Sequence, residues 1–152
     1  MYEWRTGRSC VYKNNVHLVF VTKHRRDVLT KAMLDRLNDI FEETCKQMQC
    51  KLLEHNEEHD HVHLMVAVHP KIAASNLVGK LKGKSSYFLR KEYGAEVKKK
   101  LWGGAFWTSG YFVNTVGQYA SEDVIQAYVK NQGKVEEYTK LHSQQLELGL
   151  NW

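Results

Sequence analysis

The chain reads as an α+β domain in which an antiparallel sheet carries its helices on one face. Three observations predict this: stretches of strict two-residue alternation, stretches with apolar residues at helical spacing, and the order in which they alternate along the chain.

Residues 16–22 set His17, Val19 and Val21 against Val16, Leu18 and Phe20, the period of a strand. Thr30 can cap a helix in which Met33, Leu37, Ile40, Phe41, Cys45 and Met48 recur at helical spacing, ending near Gln49. Residues 51–56 and 59–69 read as two strands joined tightly through Glu57 and Glu58, a hairpin. After Pro70, the residues Leu77, Val78, Leu81, Phe88 and Leu89 mark a second helix, which Gly94 closes. Residues 111–115 form a fourth strand. Ser121, followed by Glu122 and Asp123, caps an added C-terminal helix whose stripe is Val124, Ile125, Tyr128, Val129 and Gln132, with Gly133 placed to end it. Strand, helix, strand, strand, helix, strand is the ferredoxin-like or RRM-like arrangement, with both helices on one face and the other face left open.

Composition narrows the function. The 152 residues fit a single domain, 1–152, with a core at about 11–133 and a tail at 134–152 that holds no motif; 43% hydrophobic residues and one proline speak against a disordered chain. The net charge is +5, and Lys and Arg gather in runs at 23–26, 80–84, 90–91 and 98–100. Such clusters suit an anionic partner, nucleic acid ahead of a membrane because no long apolar span exists, although any single run taken alone reads first as a solvated helix face. Cys10, Cys45 and Cys50 are odd in number and lack zinc-knuckle spacing, and the N-terminus has no apolar signal core. Both features lead us to expect a reduced, cytoplasmic protein.

The chemistry concentrates in His61-Val62-His63. Alternation sends Val62, Leu64, Val66 and Val68 one way and both histidines the other. Two imidazoles at i and i+2 stand roughly 6–7 Å apart at Cα, near enough for their nitrogens to converge on one divalent ion. A bare His-x-His is as often a pair of solvated histidines on a polar strand face. His59 shares their parity and is an alternative ligand, whereas Asp60 falls on the core parity and suits a turn or a supporting role.

Preceded by Asp60, His61-Val62-His63 resembles the HUH motif of single-strand DNA nucleases. Other landmarks occur in the same order as in the single-tyrosine HUH transposases (TnpA type) of bacterial insertion sequences that move as single-stranded DNA. They are His17 with its apolar strand and the run 23–29, then Leu81-Lys82-Gly83-Lys84-Ser85-Ser86, Leu101-Trp102 with Phe106-Trp107, and Tyr128-Val129-Lys130-Asn131-Gln132. The likeness runs from about residue 11 to about residue 133, and four ordered motifs make it specific.

The resemblance implies a DNA transposase that cleaves and rejoins single-stranded DNA at hairpin-bearing element ends through a 5′-phosphotyrosine on Tyr128. It implies a Mg²⁺ or Mn²⁺ ion held by His61, His63 and Gln132, DNA contacts from Lys23, Arg25, Arg26, Lys80, Lys82 and Lys84, and a homodimer whose composite sites form in trans. Tyr128 and Gln132 are i and i+4 on the added helix, so phenol and amide share a face. Read from the residues alone, Tyr128 on its apolar stripe is a packing tyrosine and Gln132 a surface residue, with Tyr111, Tyr119 and Tyr138 as competing nucleophiles. Trp102, Phe106 and Trp107 can stack bases or fill a core. A domesticated relative that processes chromosomal hairpin repeats, or a non-catalytic binder of single-stranded DNA or RNA on the same sheet, are the alternative readings.

Overall fold

The computed structural model describes residues 4–115 and Lys130. A small hairpin comes first, β1 (Arg5–Thr6) paired antiparallel with β2 (Val11–Tyr12). The main elements follow as β3 (Asn15–Val21), α1 (Lys31–Gln47), β4 (Lys51–Glu57), β5 (His61–Ala67), α2 (Ala74–Glu92), α3 (Gly94–Lys100) and β6 (Phe112–Thr115). The four-stranded sheet has the order β4-β5-β3-β6, with every neighbouring pair antiparallel. That is the ferredoxin-like order expected from the alternation of elements. The added C-terminal helix, with Tyr128 and Gln132, lies outside the described residues.

Each predicted element has a local cause. The Thr30 hydroxyl accepts from the Met33 amide at 3.3 Å, capping α1 as its position suggested. The helix ends where Gln49 takes φ 59°, a left-handed turn that lets the Cys50 amide reach back to the Cys45 carbonyl at 2.8 Å. Met33, Leu37, Phe41 and Cys45 of α1 and Leu77, Leu81 and Leu89 of α2 pack on Leu18, Phe20, Val62, Leu64 and Val66 in one buried cluster. Truncating one of these fully buried residues to alanine costs about 2–5 kcal/mol, so the helix layer anchors the sheet.

Two expectations change. Gly94 does not lead into a loop: Tyr93 ends α2 and caps the short α3, which presents Lys98, Lys99 and Lys100 while burying Val97. The second sheet face is not bare either. Cross-strand partners share a face, and the register pairs Val19 with His63 and with Phe112, and Val21 with His61. Val19, Val21, Met65, Ala67 and Phe112 are buried. The physical reason is their apolar character, which disfavours exposure to water and leaves only part of the face polar.

Candidate active site and nucleic-acid interface

His61 begins β5 directly after a tight turn, and its surroundings are arranged by backbone bonds. The His59 carbonyl accepts from the amides of Val28 and Leu29, both at 3.0 Å, and the Asp60 carbonyl accepts from the Thr22 amide at 3.0 Å. The Thr22 hydroxyl reaches the Arg26 carbonyl at 2.6 Å and the Asp60 carbonyl at 3.1 Å. Residues 22–29 therefore wrap the turn that launches the histidine strand. Within this wrap His24 and Arg25 take φ values of 59° and 52°, left-handed conformations that non-glycine residues hold only where neighbours enforce them.

Asp60 lies in the turn before β5, and its Oδ1 accepts from His61 Nδ1 at 2.8 Å. A carboxylate on Nδ1 selects the tautomer whose Nε2 lone pair is left for a ligand. The other carboxylate oxygen stands 3.5 Å from Arg25 Nε, and Arg25 Nη1 donates to the Lys130 carbonyl at 3.3 Å. One guanidinium thus joins the partner of His61 to a backbone position midway between Tyr128 and Gln132 in the sequence.

His63 is half-buried on the same face as His61. Its Nε2 lies 3.3 Å from His17 Nδ1, with the rings edge to face at 4.9 Å. Burial pulls the His17 imidazole below the usual histidine range, and the adjacent His63 adds to this while Glu54 opposes it. Alternation puts His17 on the parity of Val19 and Val21 but does not pair it with His63. That pairing needed the β3–β5 register, which no local pattern reveals. Ligand atoms of Glu58, Asp60 and His61 all lie within 4.8 Å of one another, a group able to hold a metal ion. His59 is exposed and contributes its carbonyl to the turn.

The basic residues separate by position. Lys23, Arg26 and Lys100 line a cleft of ≈ 260 Å³ beside Trp102. Trp102 is 73% exposed and carries the Arg26 guanidinium 4.2 Å above its ring, while Phe106 and Trp107 are buried core residues. Only Trp102 of these three therefore offers a face to a base. Lys80 is exposed on α2, and the Lys84 ammonium bonds the Gln47 amide oxygen. Lys82 points elsewhere: half-buried, it donates to the carbonyls of Thr108 at 2.8 Å and Gly110 at 2.6 Å, and burial pushes its amine down to about 8. Alternate helix positions two apart lie about 200° around the axis, so Lys82 cannot share the solvent face of Lys80 and Lys84. Ser85 is also internal, its hydroxyl accepting from Trp107 Nε1 at 2.9 Å and donating to the Leu81 carbonyl at 2.6 Å.

Among the described residues, no helix is long and apolar enough to cross a membrane. Comparison with known proteins matches residues 10–132 to the family described as "Transposase IS200 like". The transposase for insertion sequence element IS200 of Salmonella typhimurium is 34% identical over 127 residues, 84% of this chain and 79% of that protein. The ISDra2 transposase TnpA of Deinococcus radiodurans is 33% identical over 130 residues, 86% of this chain and 91% of that protein. A solved structure of a D. radiodurans R1 protein assigned as a transposase superposes with a TM-score of 0.74 at 32% identity, covering 84% of this chain and 97% of that one. A REP-associated tyrosine transposase bound to a REP hairpin has the same fold, with a TM-score of 0.52 at 12% identity, over 100% of this chain and 91% of that one.

Proposed function

Because the chain belongs to the IS200-like transposase family, we propose that it cuts and rejoins single-stranded DNA at hairpin-bearing element ends, with Tyr128 as the nucleophile. The observation that carries this reading is the placement of His61 and His63 on one face of β5, with Asp60 on His61 Nδ1. That leaves Nε2 of His61 for a ligand, in the motif that the resemblance assigns to the chemistry.

The tyrosine oxygen attacks phosphorus, the P–O3′ bond breaks, the phenolic proton leaves and the freed 3′ oxygen takes one up. The product is a 5′-phosphotyrosine and a 3′-OH. Reversal by another 3′-OH rejoins the strand, and no nucleotide is consumed because the covalent bond conserves the phosphodiester energy.

His61, His63 and Gln132 would hold a Mg²⁺ or Mn²⁺ ion. The fit rests on His61, whose Nδ1 is occupied by Asp60 so that Nε2 is left for the ion, and on His63, half-buried on the same face of the strand. When bound, such an ion polarises the scissile phosphate and offsets charge in the transition state. Arg25, Arg26, Lys23, Lys80 and Lys84 meet phosphates, and Trp102 stacks a base in the cleft lined by Lys23 and Arg26. Lys82 acts from within the fold, fixing the approach to β6. The active unit is a homodimer, with the histidines of one chain serving the tyrosine of the other, a pairing suited to two DNA ends.

The test is a hairpin oligonucleotide incubated with the protein and Mn²⁺. A protein–DNA adduct that survives denaturation is expected, and binding without adduct under every metal condition would leave only a binding module.

A further inference from the structure

A second cleft lies at the other end of the sheet. β5 runs from His61 to Ala67, about 20 Å at a strand rise of ~3.3 Å per residue. Beyond its end a cleft of ≈ 970 Å³ is lined by residues of the β1–β2 hairpin, the C-terminal end of α1 and the segment at residues 69–71. Four of the lining residues are cationic, Arg5, Arg8, Lys46 and Lys71, and no carboxylate is among the described residues that line it. Arg5 Nε is buried without a hydrogen-bond partner among the described atoms, a donor with an unfilled bond in a cationic setting.

The walls are built rather than accidental. Gly7 donates its amide to the Cys10 carbonyl at 2.7 Å, closing the hairpin, and a Cβ at Gly7 would stand 2.8 Å from Cys10 Sγ and 3.4 Å from His69 Nε2. The absence of a side chain at Gly7 thus lets the hairpin settle against the strand end. Tyr12 and His69 form a ring wall, their centroids 5.3 Å apart, and the Lys71 amide donates to His69 Nδ1 at 3.2 Å. Arg5, Gly7 and Arg8 precede the residues matched by the family, 10–132.

We propose that this cleft is a second nucleic-acid site, which takes the sugar-phosphate backbone of a single DNA strand away from the reacting end. Arg5, Arg8 and Lys71 meet its phosphates, and the Tyr12–His69 wall lies against a base. Four like charges around one cavity repel one another, and an anion relieves that repulsion. The fork of a guanidinium matches phosphate oxygens two at a time, which suits Arg5 and Arg8 to the task. Ring surfaces beside such cations are how proteins track single strands without reading sequence. This assignment rests on the reading that the chain handles DNA, but not on cleavage.

The experiment measures binding alone. The salt dependence of affinity for a labelled single-stranded oligonucleotide is recorded in EDTA by fluorescence anisotropy, using the full chain. Removing one phosphate-binding cation lowers the magnitude of the log–log slope by about 0.7 for single strands. The Arg8→Ala/Lys71→Ala variant, both residues exposed, is expected to reduce the slope by about 1.4. Lys31→Ala/Lys91→Ala, which removes the same charge from the helix layer, is expected to keep the parental slope. Arg5→Ala adds a third arm, read only if its circular dichroism matches the parent. Equal slopes for the cleft and helix-layer variants would overturn the proposal. So would inorganic phosphate that shifts the His69 and Tyr12 NMR signals while the DNA slope stays unchanged, which would make the cleft a small-anion site. Failure of adduct formation with the slope change intact would sink only the proposed cleavage.

Discussion

Asp60 Oδ1 stands 2.8 Å from His61 Nδ1, and Asp60 Oδ2 stands 3.5 Å from Arg25 Nε, so one carboxylate orients the first histidine and is itself held by a cation. With Nδ1 occupied, Nε2 is the nitrogen left to bind. Asp60→Asn keeps the shape but loses the charge, and it can present an amide N–H to the ring nitrogen instead of an acceptor. Partners of ligating histidines typically contribute 10–100-fold in metal affinity or activity. Cleavage by Asp60→Asn should accordingly fall about 10–100-fold at limiting Mn²⁺ and recover in part at saturating Mn²⁺. A loss that no concentration of metal relieves would assign Asp60 to folding of the turn instead.

The position of Asp60 also shows what a sequence can carry. Periodicity identified β3, α1, β5 and α2 because Leu18, Leu37, Leu64 and Leu81 repeat at the spacing their burial requires. It gave Asp60 a turn or supporting role, but not its partners, because the strand begins at His61 and the alternation rule stops with the strand. The β1–β2 hairpin has two residues per strand, too few for any period, and α3 was hidden because Gly94 is as good a helix stop as a start. The His17–His63 contact depends on strand register, set by the whole sheet. Lys82 shared a run of lysines with Lys80 and Lys84, and only the path of residues 108–110 decides that it turns inward.

Ser85 belongs to a motif that the resemblance linked to DNA, yet its hydroxyl is fully buried against the Trp107 indole N–H. Ser85→Ala strands a buried donor, which costs about 1–3 kcal/mol. Chemical denaturation should show that loss with an unchanged m-value. DNA affinity at temperatures well below the midpoint should be unaltered.

Lys82 makes stability depend on pH in a direction that can be worked out. Its folded amine sits at about 8, below the ordinary 10.5, because burial penalises the charge. Between those two values the unfolded chain binds more protons than the folded one, so this residue's contribution rises with pH through that window. The neutral amine still has two N–H groups for Thr108 and Gly110, so both bonds survive deprotonation. Relative to Lys82→Met, the parent should gain stability from pH 8 to pH 10 in urea titrations. A constant difference across that range would show that the two carbonyls hold the ammonium charged.

Tyr128→Phe removes one hydroxyl and should abolish adduct and cleavage while hairpin affinity stays within about twofold, since binding comes from phosphate contacts. Denaturing gels and anisotropy on the same samples check both halves. Adduct persisting in this variant would transfer the role to another tyrosine, with Tyr119 the first to replace.

The composite site in trans sets the proposal against a contact within one chain, the Arg25 bond to the Lys130 carbonyl at 3.3 Å. Magnitudes decide which should prevail. The bond is long and exposed, and a hydrogen bond of this kind contributes about 0.5–1.5 kcal/mol, too little to confine a helix against a dimer interface of ordinary size. Gly117 before the predicted helix and Gly133 after it can redirect the chain. A Tyr128→Phe chain mixed with a His61→Ala/His63→Ala chain, after exchange into heterodimers, should therefore recover cleavage. In each heterodimer one site pairs the intact histidines of the first chain with the intact tyrosine of the second. Assembly in cis leaves every site lacking either the hydroxyl or the histidines, and predicts silence. Inactive mixtures in which differential tags prove heterodimers would establish the cis arrangement, and a monomeric mass at assay concentration would remove the composite site altogether.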